Sequence, residues 1–63
     1  MKKWHYIEHK LEPSNIIRSW VIWLIENVGY NGNGWKWDDN NGHYFICFTQ
    51  KEDATAFKLR FNI

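Results

Sequence analysis

Hydrophobic and polar positions follow two different periods along this chain, and the period changes where proline, glycine or asparagine interrupts it. Over Trp4–Leu11 the repeat is two: His5, Ile7, His9 and Leu11 fall on one side, and Trp4, Tyr6, Glu8 and Lys10 on the other. Rings and branched side chains at that spacing predict a strand, because successive side chains of an extended backbone point to opposite faces. Pro13 breaks the pattern. Proline suits the first turn of a helix, where its missing N–H would lack a partner anyway, and Ser14 or Glu12 is placed to cap that turn. From Asn15 to Val28 the apolar positions recur with the period of a helix. Ile16, Ile17, Trp20, Val21, Leu24 and Val28 share one broad face, with Arg18, Ser19 and Glu26 opposite. Two large apolar residues interrupt the polar side: Ile22 falls between Arg18 and Glu26, and Trp23 flanks Ser19. Gly29 stands where a helix-terminating glycine would.

Tyr30-Asn31-Gly32-Asn33-Gly34 is built from residues that tolerate positive φ and predicts a turn. Trp35–Asp39 and His43–Thr49 predict two strands joined by Asn40-Asn41-Gly42. If Asn41-Gly42 is a two-residue type I′ turn, Asp39 faces Tyr44, Trp37 faces Ile46 and Trp35 faces Phe48. These residues form the core side of the hairpin, and Lys36, Asp38, Phe45 and Cys47 form the other. The last segment carries conflicting signals. Thr49-Gln50-Lys51-Glu52 has capping-box spacing and Asp53-Ala54-Thr55-Ala56 continues it as a helix, whereas Phe57–Ile63 alternates as a strand does. A helix would align Ala54, Phe57 and Phe61 and leave Leu59 nearly opposite. The expectation is a helix from about Lys51 with its final residues extended.

The predicted order is β-α-β-β-α, an α+β chain with room for a short last strand. A strand, a crossover helix and a hairpin assemble as a split β-α-β unit. The expected architecture is a truncated ferredoxin-like sandwich: an antiparallel-rich sheet with its first strand between others, helices on one face and the other face uncovered. Trp20, Leu24, Trp37, Ile46 and Phe48 are assigned to its core.

Composition sharpens this picture. Sixty-three residues allow one domain, spanning 1–63. Such a domain buries only about 60% of its unfolded surface, and a lone cysteine, Cys47, offers no internal disulfide. Five Trp, three Tyr and four Phe supply the missing core, and exceed what one small core can hold. The surplus predicts a surface that meets something.

Charge selects no partner. Lys and Arg number 8 against 7 Asp and Glu, and the charges are scattered. A nucleic-acid domain usually has a pI above about 9; here it is about 7.9. Met1-Lys2-Lys3 is followed by no apolar stretch of the kind a signal peptide needs. Within the helical segment the run free of charge, Ser19–Ile25, is seven residues long, against roughly 20 for a membrane span. The expectation is a soluble cytoplasmic protein with no membrane partner.

Candidate chemistry is sparse. His5 and His9 would share a helix face, but on a strand they stand about 13 Å apart, too far for one ion. His43 and Cys47 have the same separation, so a metal site would need all four to converge by tertiary folding. Solvated or edge-strand histidines are expected, with no metal and no cofactor. Cys47 within Ile-Cys-Phe reads as a small hydrophobe, and Asp38 and Asp39 point to opposite faces. Gly32-Asn33-Gly34 precedes a strand, whereas a phosphate cradle precedes a helix. No enzyme is expected.

Phe45-Ile46-Cys47-Phe48, followed by Glu52-Asp53-Ala54-Thr55-Ala56-Phe57-Lys58-Leu59-Arg60-Phe61, resembles a pattern in small proteins encoded by tailed phages of marine bacteria, cyanophages especially. The resemblance covers about a third of the chain. It implies an accessory phage protein acting in the host cytoplasm, more often a binder of host machinery than an enzyme, and it transfers no functional residue.

The function expected is therefore protein binding: an aromatic surface docked onto a host protein or onto a second copy of the chain. Trp23 and Ile22 from the helix and Trp4 and Tyr6 from the sheet are the expected anchors. The alternative for Trp23 is that it folds against its own sheet. A single-stranded nucleic-acid binder is the second expectation. In it Trp4, Tyr6 and Phe45 would stack bases on the open sheet face, with Lys36, Lys58 and Arg60 near phosphates.

Overall fold

A computed structural model describes residues 3–63; Met1 and Lys2, which open the segment read for a leader, lie outside the described residues. The elements follow the expected order: β1 (His5–His9), α1 (Ser14–Asn27), β2 (Trp35–Asn40), β3 (His43–Phe48) and α2 (Lys51–Phe61).

Helix α1 begins without a side-chain cap. Neither Ser14 nor Glu12 serves; the N-cap is Pro13, whose carbonyl accepts from Ile16 N (3.0 Å) and Ile17 N (3.1 Å). At the other end Val28 N (2.8 Å) and Gly29 N (2.9 Å) both donate to Leu24 O. The chain then reverses at Gly29, with φ +151°, where a Cβ would lie 2.7 Å from the Asn33 carbonyl oxygen. Only glycine permits that approach.

The hairpin forms in the expected register. Asn41 (φ 53°) and Gly42 (φ 83°) take the positive angles of a type I′ turn, setting Asp39 against Tyr44, Trp37 against Ile46 and Trp35 against Phe48. Among the described residues the sheet has three strands in the order β1-β3-β2, antiparallel throughout. Strands β1 and β2 therefore run parallel to each other with β3 between them, a split β-α-β unit. One expectation is corrected here. Strand β1 is an edge, not an inner strand, because the residues that could have flanked it belong to α2.

The closing residues are helical through Phe61 rather than extended. Helical spacing puts Phe57 and Phe61 on the side of Trp20 and Trp23, with ring centroids 5.5 Å apart for Trp20–Phe57 and 6.1 Å for Trp23–Phe61. An extended tail could not place both rings there. Leu59 points outward, 79% exposed. Asn62, left-handed at φ 57°, closes the helix, and Lys58 O accepts from Ile63 N at 3.2 Å. The capping box does not form: Thr49 Oγ1 donates instead to Gly34 O (3.4 Å).

Both helices lie on one face of the sheet. Ile7, Trp20, Leu24, Trp35, Ile46, Phe48, Ala54 and Phe57 form the core between the layers. Trp35 holds the central position expected of Trp37, which lies half-buried at the margin. The reason is polar as well as steric: the Trp35 indole N–H donates to Gly29 O at 2.6 Å, so the ring can be buried with its donor satisfied. The shortest dimension is 19 Å, two layers thick, and among the described residues no element covers the second sheet face.

Candidate interaction surface

Alternation along three strands decides what the uncovered face carries. Ile7, Ile46 and Trp37 turn toward the helices, so Tyr6 and Glu8 of β1, His43, Phe45 and Cys47 of β3, and Lys36, Asp38 and Asn40 of β2 turn away. Trp4 joins them, because Lys36 Nζ lies 4.6 Å from its ring centroid. Tyr6 and Phe45 meet edge to face with centroids 6.0 Å apart. Tyr6 is 57% exposed, while Trp4 and Phe45 are half-buried.

The charges on this face are segregated. Phe45 is flanked in register by Glu8 on one side and Asp38 on the other. Glu8 Oε2 also meets His43 Nδ1 at 2.7 Å, both side chains being mostly exposed. At the other end Lys36 and Tyr6 flank Cys47. The Cys47 thiol has no exposed surface. Burial pushes its pKa up, the neighbouring Asp38 charge adds to the rise, and Lys36 opposes it. A nucleophilic thiolate is thereby disfavoured.

The expected anchors do not converge. Trp4 and Tyr6 share the open face, but Ile22, 49% exposed, sits on α1 on the far side of the sheet. Trp23 enters the seam between the helices, with ring centroids 5.8 Å from Phe57 and 6.1 Å from Phe61. The nucleic-acid set also divides. Trp4, Tyr6, Phe45 and Lys36 lie together, whereas Lys58 and Arg60 belong to α2, with the Arg60 guanidinium 5.1 Å from the Phe61 ring centroid.

The four residues considered for a metal are split by the sheet: His5 and His9 face the helices, His43 and Cys47 the open side. His9 lies on an edge strand, as expected, but its ring is packed rather than solvated. Its Nδ1 donates to Lys10 O (2.8 Å), and its ring lies edge-on to Trp20, with centroids 5.1 Å apart, and stacked near Tyr44 at 6.1 Å. Among the described residues His9 Nε2 is left buried without a hydrogen-bond partner. Beside it opens a groove of about 500 Å³ walled by Leu11, Ile17, Trp37 and Tyr44, with Asp38 and Asp39 at its rim. Sequence reasoning missed this feature. Its walls come from the β1–α1 connection, α1 and the hairpin tip, and no local pattern announces their meeting. No helix among the described residues is long and apolar enough to cross a membrane.

No protein-family model matches the chain, and no curated protein or solved structure matches it either.

Proposed function

We propose that this protein is a small binding module, of ferredoxin-like type lacking a fourth strand, that docks its uncovered sheet face onto another protein. One observation carries the reading: Trp4, Tyr6 and Phe45 lie together on a sheet face that neither helix covers. Rings on an uncovered face, one exposed and two half-buried here, serve as interface anchors because they offer large contact area at small entropic cost. Glu8 and Asp38 beside Phe45, with Lys36 at the opposite end, favour a partner of mixed charge. The resemblance of the tail to small tailed-phage proteins suggests a protein of the host cytoplasm as that partner.

The second reading, single-stranded nucleic acid, is supported by the same rings and by Lys36. It is weakened by the two carboxylates flanking Phe45, which repel a phosphate backbone, and by the position of Lys58 and Arg60 on α2.

The test is affinity capture from a bacterial host lysate with tagged wild type, Tyr6→Ser, Phe45→Ser and Leu59→Ser. A protein retained by wild type and Leu59→Ser but lost by both sheet-face variants supports the reading. Retention by all four overturns it. Tryptophan fluorescence during titration with single-stranded RNA and DNA decides the second reading: saturable quenching that weakens steeply with salt would move it to the front.

A further inference from the structure

Among the described residues strand β1 has a partner on one side only, and the direction of its backbone groups follows from the register. In a hairpin with a two-residue turn, the flanking pair, here Asn40 and His43, exchanges both backbone hydrogen bonds. Alternation then makes Asp38–Phe45 and Lys36–Cys47 bonded pairs. The bond from Thr49 N to Gly34 O at 3.0 Å continues that series. Tyr44, Ile46 and Phe48 must therefore turn their N–H and C=O groups toward β1, where they meet His9, Ile7 and His5. The backbone groups of Tyr6 and Glu8 point the other way, out of the sheet. Among the described residues no backbone or side-chain group hydrogen-bonds to them.

The two edges of the sheet are not equivalent. On β2 the outward Trp35 carbonyl is already taken, accepting from Gly32 N at 2.8 Å, and the strand ends in Asp38-Asp39-Asn40. On β1 no proline interrupts His5–His9. An edge of this kind is a template for another strand.

We propose that β1 pairs antiparallel with β1 of a second copy, across a twofold axis through Ile7, to form one six-stranded sheet. The register follows from the outward groups and from charge. Tyr6 and Glu8 are the residues able to bond across the dyad, so the choices are Tyr6 with Tyr6′, Glu8 with Glu8′, or Tyr6 with Glu8′. Pairing Glu8 with itself opposes like charges. Pairing Tyr6 with itself sets Glu8 against the Trp4 ring, whose face is electronegative. Centring on Ile7 sets Tyr6 against Glu8′, phenol beside carboxylate, and Trp4 against Lys10′, ring beside ammonium; each pair occurs twice by symmetry. His5 then lies across from His9′ on the helix side. The dyad keeps all four helices on one face, and makes the two uncovered aromatic faces continuous. The pairing uses the edge and not the face, so it stands whether or not the face binds a protein.

Sedimentation equilibrium of wild type, Glu8→Pro and Phe45→Ser across a wide concentration range tests this. Proline at position 8 removes an outward N–H and leaves the ladder to β3 intact. The expected result is that wild type and Phe45→Ser rise from 7.7 kDa toward twice that mass, while folded Glu8→Pro remains at one chain throughout. If Glu8→Pro loses its circular dichroism, a synthetic chain N-methylated at Glu8 replaces it with the same expectation. In a mixed isotope-labelled sample, an intermolecular contact between the α-protons of Ile7 and Ile7′ is expected, as befits a non-bonded antiparallel pair. A wild type that stays monomeric to millimolar concentration overturns the proposal. So does a folded edge variant that still dimerises, or loss of dimer in Phe45→Ser, which would assign self-association to the face.

Discussion

Gly29 joins three parts of the molecule at one residue. It ends α1, its carbonyl accepts the Trp35 indole N–H, and its missing Cβ lets the Asn33 carbonyl approach. Gly29→Ala is expected to lower stability by more than about 1 kcal/mol, measured by urea denaturation, because alanine disfavours that backbone angle as well as the contact. Cys47 makes a different residue-scale prediction. Its folded-state pKa is raised, chiefly by burial. Its contribution to stability is therefore fully present below the pKa of an unfolded thiol, and is lost as pH rises past that value toward the folded one. Urea midpoints should fall on the alkaline side more steeply for wild type than for Cys47→Ala. The position of Gly29 was readable from the helical period and the glycine that stops it. The central burial of Trp35 was not, because it depends on an acceptor six residues away whose direction only the folded loop fixes.

At the scale of elements, α1 and the hairpin were legible because each has a local cause: a long helical repeat in one, a type I′ turn that dictates register in the other. The tail was not. Phe57, Leu59, Phe61 and Ile63 alternate as a strand would, while Thr49–Glu52 suggests a helix start, so local signals nearly balance. Packing decided between them: Phe57 is enclosed by the rings of Trp20 (5.5 Å), Trp23 (5.8 Å), Phe48 (5.6 Å) and Phe61 (4.9 Å). A strand would weight Phe57 and Leu59 equally. The helix predicts that Phe57→Ala costs about 3–5 kcal/mol, whereas Leu59→Ala changes stability by less than about 0.5 kcal/mol. Equal losses for the two variants in chemical denaturation would refute that assignment.

The described residues form a single sheet with helices on one side only, so Trp4, Tyr6 and Phe45 lie on a face that no second layer covers. A domain of this length is marginally stable by itself. Pairing through β1 would add stability by mass action. The urea midpoint of wild type is therefore expected to rise with protein concentration, and that of Glu8→Pro to stay constant; a concentration-independent wild type would argue against pairing. The aromatic face proposed for docking was partly legible. Trp4, Tyr6 and Phe45 share a face by simple alternation, which requires only that their segments be strands. Trp23 and Ile22 stood out as apolar residues on a polar helix side, but α2 takes Trp23 into its seam and the sheet separates Ile22 from the other anchors.

The sequence by itself determined the order of elements, the hairpin register and the division of the strands into an inner and an outer face, because periodicity and turn chemistry act within a few residues. Tertiary structure decided the helical tail, the central place of Trp35, the exposure of β1 as an edge and the scattering of the expected anchors. Each of those depends on contacts between residues far apart in the chain, where burial of large rings outweighs local preference.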